Sequence, residues 1–276
     1  MSLTLPPIAI LGAGSMGGAI LQGLLAPEVQ VEGGIRVTNR TEVKAAALQQ
    51  EGVTSYATES DPDANARAVD GARLVVLGVK PFGIADLLRE LAPVLDPAAV
   101  VVSVAAGVRL ATMEELVPNP VLRAMPNTPS LVRLGVTGLS AGSRVSETDA
   151  ALARSVFECV GSVLGVPEEQ LDALSAVSGS GPAYVYLLIE QLELAARNLG
   201  FTAEQAQTMV RQTFRGATEL LAATGEEPRE LRRKVTSPKG TTEQAIAVME
   251  RADFAHTFDE ALAAAIRRAG EIAAGK

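Results

Sequence analysis

Through roughly its first 165 residues the chain alternates short, unbroken apolar runs with segments whose apolar positions recur every three or four residues. The runs fall at residues 8–11, 35–38, 74–79, 100–104 and 121–125, and amphipathic stretches separate most of them. A continuous apolar run of this length predicts a strand covered on both faces, because a strand with one wet face would alternate. Strands joined through helices predict right-handed crossovers and a largely parallel sheet. Residues 1–165 are therefore expected to form a doubly wound α/β domain.

After Gly165 the pattern changes. "EEQLDALSAVSGSGPAYVYLLIEQLELAARNLG", "TAEQAQTMVRQTFRGATELLAATG", "PRELRRKV", "TTEQAIAVMERA" and "FAHTFDEALAAAIRRAGEIAAG" all carry helical periodicity, and none contains a convincing strand run. Residues 166–276 are expected to form an all-helical domain. The segment "LGVPEEQ" at 164–170 marks the boundary, with Pro167 opening a helix and two acids in its first turn. Thin, alanine-rich helices have little interior of their own, which predicts burial against a second copy of the chain.

Composition narrows the functional classes. A chain of 276 residues can bury a substantial core without a metal or disulfide scaffold. Its one cysteine, Cys159, predicts a reducing compartment and reads best as a small buried apolar side chain, and its one histidine, His256, excludes a multi-histidine metal site. With 24 basic and 32 acidic side chains the net charge is -8, which disfavours nucleic acid as a partner and requires any bound phosphate to be gripped locally. Pro6, Pro7, Gly12 and Gly14 interrupt the N-terminal apolar stretch, so it does not read as a signal peptide, and no window reaches the roughly 18 to 20 apolar residues of a membrane span. The expected setting is the cytoplasm.

The chemistry begins at "IAILGAGSMGGAILQGLL". Gly12, Gly14 and Gly17 form a G-x-G-x-x-G pattern between a strand and a helix. Gly12 suits the tight turn, Gly14 the close approach of a pyrophosphate, and Gly17 the helix–strand contact. Gly12, Ala13, Gly14, Ser15, Met16 and Gly17 are the candidate dinucleotide cradle. The second strand ends in Asn39, Arg40 and Thr41 instead of the acid that typifies an NAD site. A guanidinium between amide and hydroxyl donors suits a 2′-phosphate, so NADPH is the expected cofactor and NADH the second choice; the alternative is a solvated loop charge. The turns carrying Val79, Lys80 and Pro81, carrying Ala105, Ala106 and Gly107, and carrying Asn127 lie at the carboxyl ends of later strands, where they would line the nicotinamide half. Lys80 can also be read as a catalytic lysine, with a turn role an equal alternative, since Pro81 is a natural first helical residue.

The turn "KVTSPKGTTEQA", residues 234–245, interrupts the helical half with hydroxyls, a proline and a glycine. It is either a plain helix connection, capped by Thr241 or Thr242, or an anion pocket at a helix start.

Taken together, the glycine turn, Val79-Lys80-Pro81, "MPNTP" at 125–129, "SGSGPAY" at 178–184 and "TSPKGTT" at 236–242 resemble, in order and approximate spacing, the Δ1-pyrroline-5-carboxylate reductases. The resemblance spans nearly the whole chain and implies a Rossmann domain joined to a helical domain that interlocks with its twin, with decamers as a further assembly. It implies reduction of the C=N bond of L-1-pyrroline-5-carboxylate to L-proline with NAD(P)H, the last step of proline biosynthesis. It also implies that Thr242 carries the hydroxyl that reaches the ring nitrogen, that Gly240 and Thr241 offer backbone N–H groups to the substrate carboxylate beside Ser237, and that Ser178, Gly179 and Ser180 form the facing wall. The glycine-lined nucleotide cradle and the turn that bears Thr242 are expected to converge on one cleft. Two positions depart from the family pattern: Lys239 replaces a glycine, which would strain a turn requiring positive φ, and Leu194 stands where an aspartate is common.

Two other functions compete. A β-hydroxyacid dehydrogenase would need a lysine early in its second domain, and this chain has none between Lys80 and Lys234. A non-catalytic NADP-binding regulator would keep the fold without the chemistry. The cofactor reading makes a direct prediction: Arg40→Ala shifts the ratio of kcat/KM for NADPH over NADH toward NADH. An unaltered ratio in steady-state assays removes Arg40 from phosphate recognition.

Overall fold

The computed structural model describes residues 2–273. It divides into two compact units, one running to Ser180 and taking in the chain from Ile266, the other comprising Gly181–Ala265.

In the first unit the strands are β1 (Leu3–Leu5), β2 (Ile8–Leu11), β3 (Val29–Val31), β4 (Ile35–Asn39), β5 (Val53–Ala57), β6 (Leu74–Leu77), β7 (Val100–Ser103), β8 (Val121–Met125), β9 (Gly135–Ala141) and β10 (Gly161–Gly165). The helices are α1 (Ser15–Leu24), α2 (Glu42–Ala46), α3 (Ala64–Val69), α4 (Ile84–Leu91), α5 (Leu110–Glu114), α6 (Glu147–Glu158) and α7 (Leu171–Leu174). Eight strands make one sheet in the order β10-β9-β8-β7-β6-β2-β4-β5, while β1 and β3 pair separately. Neighbours are parallel except β8 and β9. Successive side chains of β2 leave on opposite faces: Ile8 and Ile10 join Ile20, Leu21 and Phe157 in one apolar layer, and Ala9 and Leu11 join Leu87, Leu88 and Leu91 in the other. A sheet covered on both faces explains why its central strands are unbroken apolar runs.

All five predicted runs are strands. The runs at 74–79 and 100–104 stop sooner than their hydrophobicity, at Leu77 and Ser103. At the first of these, Gly78 turns the backbone against Gly12. β5, β9 and β10 escaped the pattern because they carry polar residues or glycines. Gly161 pairs in register with Gly135 so closely that a Cβ on Gly161 would meet the Gly135 backbone, so these glycines mark close strand packing instead of breaks.

The first unit passes the boundary expected at Gly165 and continues to Ser180. Glu168 explains part of this: its Oε1 accepts from Arg123 Nη1 at 2.6 Å and from the Leu110 N–H at 2.8 Å, and the Arg123 side chain is only 6% exposed. Leu171 is fully buried, and a Cβ on Gly138 would touch the methyl groups of Leu171 and Leu174. Cys159 is buried at the end of α6, where burial raises its thiol pKa, consistent with a packing role.

The second unit contains α8 (Gly181–Asn198), α9 (Ala203–Thr224), α10 (Pro228–Lys234), α11 (Thr241–Glu250) and much of α12 (Phe254–Ala273), with no strand among its described residues. Thr202 and Gln205 form a capping box at the start of α9, and Gly225 ends that helix in the left-handed conformation. Among the described apolar side chains of this unit only Ala196, Ala206 and Val210 are buried, whereas Tyr186, Leu187, Leu199, Leu220 and Val248 are more than half exposed. Such exposure on one chain marks an association surface. No helix among the described residues is long and apolar enough to cross a membrane.

Asp149 supplies a pH test of the first unit. It completes the capping box of α6 with Ser146 and pairs with Arg73 Nη2 at 2.8 Å. Burial pushes its pKa up, but the hydrogen bonds from Ser146 and Arg73 outweigh that and hold it below the ordinary value. A depressed carboxylate pKa stabilises the fold above the unfolded-state value and loses that contribution as pH falls through the folded one. Asp149→Asn is therefore expected to lower the urea midpoint near neutrality, with the gap from the parent closing below about pH 4. A gap independent of pH overturns this account.

Candidate active site

The carboxyl ends of β2, β4 and β6 enclose an open cleft of about 420 Å³, lined by Gly12, Gly14, Thr38, Asn39, Arg40, Lys44, Thr58, Asn65, Gly78, Val79, Lys80, Phe82 and Gly83. Its floor is the glycine turn. Gly12 has φ of 85°, and a Cβ there would lie 2.9 Å from Val79 Cγ1. The Gly12 and Ala13 N–H groups both donate to the Thr38 carbonyl, at 3.0 and 2.9 Å, tying the turn to β4. A Cβ on Gly17 would fall 2.9 Å from the Gly12 carbonyl oxygen, so α1 is pressed onto the turn, whereas a Cβ on Gly14 would project into open space. The three glycines thus differ sterically as the pattern requires: a positive-φ turn at Gly12, open space at Gly14 and close packing at Gly17. A fourth glycine, outside the sequence pattern, joins them: a Cβ on Gly78 would lie 2.5 Å from the Gly12 carbonyl oxygen.

Gly14 is the N-cap of α1, no side chain caps that helix, and no acid sits in its first turn. Its leading N–H groups and dipole therefore face the cleft free of a competing negative charge, as an anion site requires. Ala13 and Met16 are partly buried against the apolar layer beneath. At the end of β4, Asn39 is 6% exposed and its Nδ2 is buried without an acceptor. A buried, unpartnered amide is costly, and a ribose hydroxyl or phosphate oxygen would satisfy it. The cleft fits a dinucleotide on these grounds.

Other expected contacts fare differently. Arg40 is exposed on the cleft rim and is joined there by Lys44, which sequence analysis did not select although it is the next cation along the same loop and helix. Thr41 is absent from the cleft lining; its hydroxyl accepts from the Lys44 N–H at 3.4 Å as the N-cap of α2. Lys80 lines the cleft and is also the N-cap of the short turn that Pro81 opens. Ala105 is buried, and Gly107 turns the chain after β7 with φ of 79°, but these residues and Ala106 lie outside the cleft lining.

Asn127 is engaged within the chain. Its Nδ2 donates to the Ser178 carbonyl at 2.9 Å and its Oδ1 accepts from the Val136 N–H at 2.8 Å. Both ends of the amide tie the β8 turn to neighbouring chain. Ser178 directs its hydroxyl to the Leu174 carbonyl, and the Ser180 N–H donates to the Ser175 carbonyl, closing the wide helical turn Ser175–Gly179. Turns of this kind recur at functional sites. A Cβ on Gly179 would strike the Ser175 hydroxyl, while one on Gly181 would meet open space.

In the second unit, the turn before α11 has Gly240 as its N-cap, in place of Thr241 or Thr242, and no side chain caps the helix. The Gly240 N–H donates to the Ser237 carbonyl at 2.9 Å, so it is not free for the substrate role expected of it. Lys239 has φ of 60°, a conformation that costs a residue with a Cβ on the order of 1 kcal/mol; the strain anticipated for a non-glycine residue is present. The Lys239 N–H is held by Glu243 Oε2 at 2.9 Å. What remains at the helix start are the N–H groups of Thr241, Thr242 and Glu243 and the half-buried Thr242 side chain. His256 is exposed, 3.5 Å from Glu260 on the same helix.

A glycine-turn dinucleotide cleft on a doubly wound sheet, followed by helices that expose their apolar side chains, defines a Rossmann-type oxidoreductase with an oligomerisation domain. Residues 7–107 match the family of coenzyme F420-dependent NADP oxidoreductases, and residues 168–272 match the pyrroline-5-carboxylate reductase dimerisation family. The chain is 39% identical to a pyrroline-5-carboxylate reductase of Pseudomonas aeruginosa, covering 98% of each, and 38% identical to one of Corynebacterium melassecola, covering 96% and 98%. Among solved structures, a pyrroline-5-carboxylate reductase from Coxiella burnetii superposes with a TM-score of 0.89 at 39% identity, covering 96% of this chain and 97% of the other. The Plasmodium falciparum pyrroline carboxylate reductase with NADP bound gives 0.80 at 25% identity, covering 97% and 98%. The chain belongs to the pyrroline-5-carboxylate reductase family.

The glycines predict opposite failures. Gly14→Ala is expected to retain the parent Tm and lose cofactor affinity, since its methyl enters the space a pyrophosphate would occupy. Gly78→Ala is expected to lower Tm, since its methyl meets backbone. Calorimetry and cofactor titration of both variants check this, and an affinity loss without a Tm change in Gly78→Ala refutes the packing role.

Proposed function

We propose that this chain is a pyrroline-5-carboxylate reductase, reducing the C=N bond of L-1-pyrroline-5-carboxylate to L-proline with NADPH. The observation that carries the cofactor half is the cleft itself, with its uncapped α1 N-terminus, orphaned Asn39 amide and rim cations Arg40 and Lys44. The substrate half rests on the turn at 237–242 together with family membership. NADPH, when bound, supplies the hydride. The glycine turn holds its pyrophosphate, Asn39 its adenosine ribose, and Arg40 its 2′-phosphate.

The substrate carboxylate goes to the N–H groups at the start of α11, with Thr241 and Thr242 as donors. The Thr242 hydroxyl, which makes no hydrogen bond within the described residues, takes the ring nitrogen. Ser237 lies in the same turn, and Ser178, Gly179 and Ser180 are further substrate residues by the family resemblance. No strong general acid is needed, because a cyclic imine binds already protonated and the iminium is the better hydride acceptor. Orientation and a fixed electrostatic environment then do most of the catalysis.

The working form is a homodimer through the helical domain, interlocked as the family resemblance implies, with decamers as the larger assembly. A reducing cytoplasmic setting suits the single buried thiol. The decisive assay follows NADPH absorbance: consumption with pyrroline-5-carboxylate but with neither hydroxyacids nor their keto forms supports the reductase, and NADPH binding without turnover supports the regulator instead. Thr242→Ala is expected to lower kcat/KM for pyrroline-5-carboxylate by the equivalent of about 1 to 3 kcal/mol. An unchanged value takes Thr242 out of the mechanism.

A further inference from the structure

Phe82 is 88% exposed, the most exposed of the large apolar side chains in the described residues, and it stands on the lining of the dinucleotide cleft. The chain places few aromatic residues anywhere, six Phe and three Tyr in 276 residues, so one left unpacked on a ligand cleft calls for an explanation. Its backbone is held: Lys80 caps the short turn Pro81–Gly83, Pro81 opens it, and the Gly83 N–H donates to the Lys80 carbonyl at 2.9 Å.

The sheet order fixes what Phe82 faces. β6 and β4 flank β2 on either side, so the loops leaving these two strands form opposite walls above the glycine turn. One wall carries Asn39, Arg40 and Lys44, and the other carries Lys80 and Phe82. A ribose held at Asn39 with its 2′-phosphate on Arg40 must direct its base into the space between those walls.

We propose that Phe82 is the platform on which the adenine ring stacks, with the Arg40 guanidinium available to the opposite face of the base. The proposal rests on the dinucleotide reading of the cleft. A purine between an aromatic face and a guanidinium combines stacking with a cation–π contact, and neither requires a sequence-specific hydrogen bond. Phe82 is then a specificity element for the adenylate end, remote from the hydride.

Calorimetry with 2′,5′-ADP, which carries the adenosine and both phosphates but no nicotinamide, tests this on the full chain. The parent is expected to bind it, Phe82→Ala to bind it roughly tenfold more weakly, and Phe82→Tyr to restore the affinity. The chain contains no tryptophan, so Phe82→Trp introduces its sole indole, and stacking is expected to quench that emission as 2′,5′-ADP saturates the site. Parent-like binding by Phe82→Ala, or indole emission indifferent to bound 2′,5′-ADP, overturns the proposal while leaving the dinucleotide cleft intact. Failure of the parent to bind 2′,5′-ADP overturns both.

Discussion

The carbonyl oxygen of Gly12 admits no side chain on two sides. Cβ atoms built on Gly17 and Gly78 would stand 2.9 and 2.5 Å from it, and Gly12 itself occupies a conformation that disfavours any residue with a Cβ. This contact lets three pieces of chain meet where ordinary side chains would hold them apart. α1 aims its free N–H groups over the end of β2, β4 is laced to the turn through the Thr38 carbonyl, and the β6 loop turns outward at Gly78 to present Lys80 and Phe82. The cleft is therefore a consequence of backbone approach, and the side chains that line it are positioned by that approach.

The same contact explains what could be read from the sequence. Apolar continuity identified the central strands because both faces of the sheet are covered, and the spacing of Gly12, Gly14 and Gly17 identified the turn because each glycine meets a distinct steric demand. Gly78 could not be separated from an ordinary turn glycine without knowing that β6 lies beside β2. Spacing also places a residue at the end of a strand without revealing what its side chain bonds. Asn127 sits at the expected carboxyl edge, yet its amide holds Ser178 and Val136. Thr41 likewise caps α2. The first unit runs past Gly165 for a similar reason: Glu168 looks like the solvated first turn of a new helix until Arg123, distant in sequence, is seen to hold it.

The helical half shows a different relation between sequence and structure. Its periodicity is plain, and its elements are helices, but periodicity alone does not say what covers the apolar face. Among the described residues of α8 to α12 only three apolar side chains are buried, although packing of amphipathic faces supplies most helix stability in proteins. The exposed Leu187, Leu199 and Leu220 offer apolar surface for association with another copy, in agreement with the dimerisation family matched over 168–272.

The turn at 237–242 combines both lessons. A net charge of -8 gives no general attraction for anions, so a carboxylate must be captured by oriented local donors. Two of the turn's N–H groups are already committed, Gly240 to Ser237 and Lys239 to Glu243. The Glu243 bond helps to hold Lys239 at φ of 60°, offsetting part of the strain that a glycine would avoid. With those two donors engaged and the helix left uncapped by any side chain, the N–H groups open at the helix start are those of Thr241, Thr242 and Glu243, beside the two threonine hydroxyls. A short run of adjacent donors suits a small planar anion, such as a carboxylate on the ring carbon next to an imine nitrogen, whereas a larger polyanion would leave most of its charge uncompensated.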